Sequence, residues 1–122
     1  MGKQIDLPLE HVISKIAALG VPGLIFTVAV SATGLAGAAA ITTALASLGP
    51  GGIVGGIAFL GVAGLISGAL TEFGIDAIFT GVVKELYLQG ESKESIKAKI
   101  KKYPISKKLK LKLYNTLDEV KI

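Results

Sequence analysis

The chain has 122 residues, a net charge of +4 and no cysteine, a length that suggests one domain. The absence of thiols excludes a disulfide framework and a thiolate metal site, and it leaves the redox compartment open. All thirteen basic residues are Lys, which argues against a sequence-reading nucleic-acid binder, because bidentate contacts to guanine or phosphate favour Arg.

Charge is confined to the two ends. Residues 16–71 form an unbroken run without Asp, Glu, Lys or Arg. A chain this short has little interior in which to hide such a run, so the expected cover lies outside the monomer, in hydrocarbon or in other copies of the chain. The predicted fold is all-α: a membrane helical hairpin of two Gly/Ala-rich transmembrane helices, flanked by an N-terminal amphipathic helix and a C-terminal basic helical hairpin. The corresponding segments are residues 1–22, 23–90 and 91–122.

The first fifteen residues carry acids and no clean cleavage signal, which argues against a removable signal peptide. Pro8 suits a first helical turn, and Leu9, Val12, Ile13, Ile16 and Leu19 follow at helical spacing, with Glu10, His11, Ser14 and Lys15 opposite. This predicts an amphipathic helix, either a flap on the rest of the protein or a helix lying in the membrane interface. Gly20-Val21-Pro22-Gly23 ends or bends it. Residues 23–48 read as one apolar helix of about 39 Å, long enough to cross a bilayer. Ala32, Ala36, Ala40 and Ala44 put a small residue at every fourth position, a strip that lets another helix approach closely. Thr33, Thr42 and Thr43 can return their hydroxyls to carbonyls one turn back.

Gly49-Pro50-Gly51-Gly52 is a tight turn signal, so its flanking helices are expected to be antiparallel neighbours with both chain ends on one side of the membrane. The lysine-rich C-terminal segment assigns that side to the cytoplasm. Residues 52–71 give the second apolar helix, with Gly52, Gly56, Gly64 and Gly68 sharing a face for packing within the hairpin or between copies. The apolar pattern then continues to Gly90, an expected C-terminal cap, with a kink expected at Gly74 or Gly81. Ser92 and Ser106 are expected N-caps of two short helices separated at Pro104. Ile96, Ile100 and Tyr103 edge the first, while Leu109, Leu113, Leu117 and Val120 stripe the second.

Two polar features stand out. Glu72 and Asp76, at i and i+4 on an apolar helix, would repel and would need water, a cation or protonation if intramembrane. They are candidate pore-mouth acids, or else markers of the membrane boundary or partners of lysines. Residues 91–112 carry nine Lys against two Glu. Of these, Lys93, Lys97, Lys101, Lys102, Lys107, Lys108, Lys110 and Lys112 are candidates for binding anionic lipid headgroups, against the alternative of a solvated helix face. Nucleic acid is disfavoured, since the aromatic platforms there are limited to Tyr103 and Tyr114. One His, no Cys and no phosphate-cradling loop give no catalytic, metal or cofactor site, and catalysis is not expected.

The segments Ala36-Gly37-Ala38-Ala39-Ala40 and Gly51-Gly52-Ile53-Val54-Gly55-Gly56 resemble the hydrophobic hairpin of colicin-type pore-forming bacteriocins and, more loosely, small glycine-zipper membrane proteins. The resemblance is compositional, covers less than half the chain and lacks the large soluble helical shell of the bacteriocins. It implies bilayer insertion and permeabilisation. The expected function is therefore a self-assembling multi-pass membrane protein forming a pore or membrane-disrupting oligomer, such as a toxin or defence effector, in an anionic bilayer. The alternatives are a non-conducting anchor or scaffold that recruits a protein partner through residues 91–122, and a soluble helical homo-oligomer.

Overall fold

The computed structural model describes residues 8–35, 37–48 and 56–121, and every regular element among them is an α-helix. Their order is α1 (Leu9–Ala18), α2 (Val21–Ala32), α3 (Gly37–Leu48), α4 (Gly56–Phe73), α5 (Ile75–Leu88), α6 (Lys93–Lys102) and α7 (Lys107–Glu119). The predicted turn at residues 49–52, and with it Gly52, lies outside the described residues, as does Ala36.

α1 forms as its spacing predicts. Pro8 is the N-cap, Val12, Ile16 and Ala17 are buried, and Glu10, His11, Ser14 and Lys15 are exposed. The helix packs on α5 and α4, the flap arrangement of the two that the sequence allowed. Its crossing with α5 depends on the missing side chain of Gly81, where an added Cβ would come within 2.1 Å of Ile13 Cδ1 and 2.8 Å of its Cγ1. Gly81→Ala must force Ile13 off its rotamer, so a loss of about 1 kcal/mol is expected. In an Ile13→Val background, which removes the nearer carbon, urea melts should show a smaller loss for the same substitution.

Gly20, with φ of 75°, closes α1 and serves as N-cap of α2, and Pro22 sits in the first turn. α2 is apolar on every side, and such a helix needs cover all round. From Gly23 to Val30 every residue is buried, and α1, α3, α4, α5, α6 and α7 all contact it. The expectation that the uncharged half finds its cover outside the monomer is therefore corrected for α2, whose cover is the rest of its own chain. Thr27, completely buried, donates its hydroxyl to the Gly23 carbonyl at 2.8 Å. That bond removes the cost of a dry hydroxyl.

A second correction concerns length. The single helix expected over residues 23–48 is two helices, because a local hydrogen-bond set stops α2 at Ala32. The Thr33 hydroxyl donates to the Val30 carbonyl at 2.7 Å and accepts from the Leu35 N–H at 3.1 Å. Gly34 then turns at φ of 69°, a conformation costly for residues with a Cβ. α3 restarts at Gly37, whose N–H donates to the buried Ser67 hydroxyl of α4 at 3.0 Å. α2 and α3, at 12 residues each, are each about 18 Å long. Among the described residues no helix is long and apolar enough to cross a membrane.

The chain breaks again at Gly74, one of the two positions expected to kink, with φ of 85° between α4 and α5. α5 ends at the expected glycine: Gly90 has φ of 104°, its N–H donates to Tyr87, and the Glu91 N–H reaches back to Leu86. This pairing satisfies two carbonyls of the last turn. Ser92 caps α6 reciprocally with Ser95, and Ser106 caps α7 by accepting from the Leu109 N–H at 3.1 Å. Ile96, Ile100, Leu113 and Leu117 are fully buried and join the same apolar cluster as α2. The alternating run at residues 109–113 is helical, as its cap and its continued spacing to Val120 predict.

Candidate functional site

The small-residue strips divide by environment. Ala40 and Ala44 are buried, while Ala32, Gly64 and Gly68 are exposed. Ala32 also closes α2, so it does not share one continuous helix with Ala40 and Ala44. α3 packs on α2 and α4, which places its small buried face inside the monomer. Gly56 opens α4. Nothing lies within 4 Å of a Cβ built at Gly64. The exposed residues described on α3 and the second half of α4 are Gly37, Ala39, Thr42, Thr43, Gly64, Gly68, Thr71 and Glu72, uncharged apart from Glu72 at the end of α4. One part of the surface thus consists of small neutral residues.

Glu72 and Asp76 are both exposed. The break at Gly74 lies between them, so the pair expected on one face of a continuous helix is instead split across the end of α4 and the start of α5. Asp76 occupies the first turn of α5, where the positive end of the helix dipole favours a carboxylate.

The lysines also divide. Lys97 pairs with Asp118 at 2.6 Å, tying α6 to α7, and the Lys110 ammonium donates to the Lys101 carbonyl at 2.7 Å. The Lys97 pair is open to solvent and contributes little to stability. Lys101, Lys102, Lys107, Lys108 and Lys112 are exposed, and Lys93 is half-buried. Lys99 pairs with Glu91. Hydrogen bonds from Lys99 and from the Ser95 hydroxyl hold the Glu91 carboxyl below the ordinary carboxylate range, against the opposing effect of burial. A carboxylate whose folded pKa is depressed stabilises the fold above the unfolded pKa, and that contribution is lost as pH falls through the folded pKa. Glu91→Gln should therefore lower the urea midpoint at neutral pH and converge with the parent at the acid limb.

Two depressions adjoin these lysines, and sequence spacing alone gave no sign of them. A groove of about 790 Å³ runs between α7 and the C-terminal half of α2, with Val28, Ala29 and Leu109 supplying apolar lining and Lys108, Lys112, Asp76 and Glu119 supplying charge. A second, of about 580 Å³, lies between the start of α2 and the end of α6, where Pro22, Lys99, Lys102, Tyr103 and Pro104 meet. Burial raises the Tyr103 hydroxyl pKa above its ordinary value, with Lys99 opposing. Leu111, Tyr87, Leu88 and Leu35 are large apolar side chains left exposed, Leu111 by 60%. Among the described residues, Leu111 has three exposed lysines without an ion pair within four positions on its helix, Lys107, Lys108 and Lys112. His11 is exposed on α1, and among the described residues no group of three or more His, Cys, Asp or Glu could hold a metal ion.

No protein-family model matches the chain, and comparison with curated proteins and with solved structures finds no match.

Proposed function

We propose that the protein is a small, self-assembling, membrane-active helical protein that permeabilises anionic bilayers. The observation that supports this reading most is the separation of its surface into a neutral part of small residues on α3 and α4 and a basic part on α6 and α7. A surface built only for water would intersperse charges of both signs. Neutral small residues suit lipid or a second helix, and lysines suit anionic headgroups. In this reading Gly64, Gly68 and Ala32 are the residues still open for assembly, and Glu72 and Asp76 are exposed carboxylates at the base of the α4–α5 break.

Insertion requires a rearrangement, since an 18 Å helix does not span a hydrocarbon core of about 30 Å. Rotation of Gly34 and Gly37 from positive φ to helical values would join α2 and α3 into one helix over residues 21–48, about 42 Å long. Glycine makes that rotation sterically inexpensive. Gly34→Ala penalises the turned form by about 1 kcal/mol and should speed dye release from anionic vesicles while lowering the urea midpoint in buffer. Absence of release at any protein-to-lipid ratio, with insertion confirmed by alkaline carbonate extraction, rejects the pore and leaves the anchor.

A second reading is favoured by the cover that α2 receives from its own chain: a soluble helical homo-oligomer joined through the neutral faces. Purification without detergent separates the two. A monodisperse soluble particle that never partitions into vesicles selects the oligomer.

A further inference from the structure

We infer that the outward face of the first half of α7, together with the adjoining end of α6, is the surface by which the protein docks on an anionic bilayer. The inference rests on the membrane reading above, but it concerns where contact is made and not whether permeabilisation follows.

Residues 101–112 contain six Lys and no acid. At about 100° per residue, Lys107, Lys108, Leu111 and Lys112 fall within one arc of α7, opposite the buried Leu113 and Leu117. All four residues of that arc are exposed, as are Lys101 and Lys102 at the end of α6. None of these five lysines makes an ion pair among the described residues, whereas Lys97 and Lys99 do. The fold therefore uses Lys97 and Lys99 for its own ion pairs and leaves these lysines without one, with Lys108 and Lys112 sharing their groove with the carboxylates of Asp76 and Glu119.

Leu111 decides the type of occupant. A large apolar side chain, 60% exposed, gains no burial energy at the centre of a purely solvated lysine patch, and the buried core does not include it. At a bilayer surface it can enter the region between headgroups and acyl chains while the surrounding ammonium groups stay with the phosphates. The absence of Arg fits as well, because mobile headgroups require point charges more than fixed bidentate geometry. A second copy is a poorer occupant. Two lysine-rich halves repel, and on the acidic half of α7 Asp118 is already engaged by Lys97. Nucleic acid is poorer still, since Leu111 offers no stacking platform and the two aromatic residues near it in sequence, Tyr103 and Tyr114, are both half-buried.

The test is flotation of the full chain with phosphatidylcholine vesicles, with and without phosphatidylglycerol. The parent protein should float only with the anionic vesicles, and salt present during mixing should reduce that binding. K107E/K108E/K112E should lose about tenfold or more in partitioning, and L111S should lose binding with no change in salt dependence. The control K15E/K84E/K121E makes the same change in net charge at exposed lysines elsewhere and should keep most of its binding, with circular dichroism reporting the fold of each variant. Equal loss in both triple variants, or equal binding to neutral vesicles, overturns the assignment. Vesicle-independent self-association abolished by L111S gives the face to a second copy and also overturns it. Dye release measured on the same samples separates the two claims: binding without leakage preserves this surface and rejects the pore, while leakage unaffected by K107E/K108E/K112E does the reverse.

Discussion

Phe26→Ala is expected to lower the unfolding free energy by about 3–5 kcal/mol, the range for deleting a fully buried aromatic ring. Phe26 is 1% exposed at the middle of α2, and the six surrounding helices limit how far the site can collapse. Incomplete collapse leaves a cavity, and the cavity adds to the lost transfer energy of the ring. Urea denaturation of the full chain in plain buffer gives the measurement, with Leu88→Ala as reference. Leu88 is 78% exposed, so its truncation should change stability by less than about 0.5 kcal/mol. The comparison also bears on function. A loss below about 1 kcal/mol for Phe26→Ala would mean that the other helices of the same chain do not hold α2 in water, and its cover would then have to be lipid or another copy of the chain.

Gly23→Ala is the next largest, at about 2 kcal/mol, and its cause is backbone contact. A Cβ at position 23 would meet the Ile16 carbonyl oxygen at 2.5 Å and Leu19 Cβ at 3.0 Å. The carbonyl cannot turn aside cheaply, because it accepts the Leu19 N–H at 3.0 Å in closing α1. The substitution must therefore pry the last turn of α1 from the first turn of α2. Gly64→Ala is the control within a helix, since nothing lies within 4 Å of the added Cβ. There the better helix propensity of Ala should stabilise the protein, by up to about 1 kcal/mol. Opposite signs for two Gly-to-Ala changes in helices of similar composition would separate close packing from propensity. If both variants gain stability, the α1–α2 contact is not as described.

Helix type and caps were legible because they depend on neighbours in sequence. Ser92, Ser106, Pro8 and Gly90 act within a turn of where they stand, and the stripe from Leu113 to Val120 follows from spacing alone. The ending of α2 at Ala32 was not legible, since Thr33 and Gly34 in an alanine-rich run resemble tolerated residues of a long membrane helix. The signal was present in the pair itself: a hydroxyl able to bond both ways, followed by a residue free to turn at positive φ. The cover of α2 was illegible for a different reason. A helix apolar on all sides has the same sequence whether its surroundings are lipid or other helices, and only the packing of Ile96, Ile100, Leu113 and Leu117 against it distinguishes them. The acid pair illustrates the same limit. The i and i+4 spacing of Glu72 and Asp76 assumed an uninterrupted helix, and Gly74 removed the assumption. The lysine cluster was legible from composition, but which lysines are engaged depended on Asp118 and Glu91, placed by the α6–α7 contact and the capping turn.

The order in which α2 acquires its cover has a consequence for biosynthesis. Because α6 and α7 contribute to the sheath, α2 is without its full cover until α7 is complete at Glu119, 87 positions beyond Ala32. At roughly 5–20 residues per second this interval is about 4–17 s. During it an apolar segment emerging from the ribosome is accessible to chaperones or to insertion machinery. The choice between folding in water and entering a bilayer can thus be made kinetically, before α7 exists to compete.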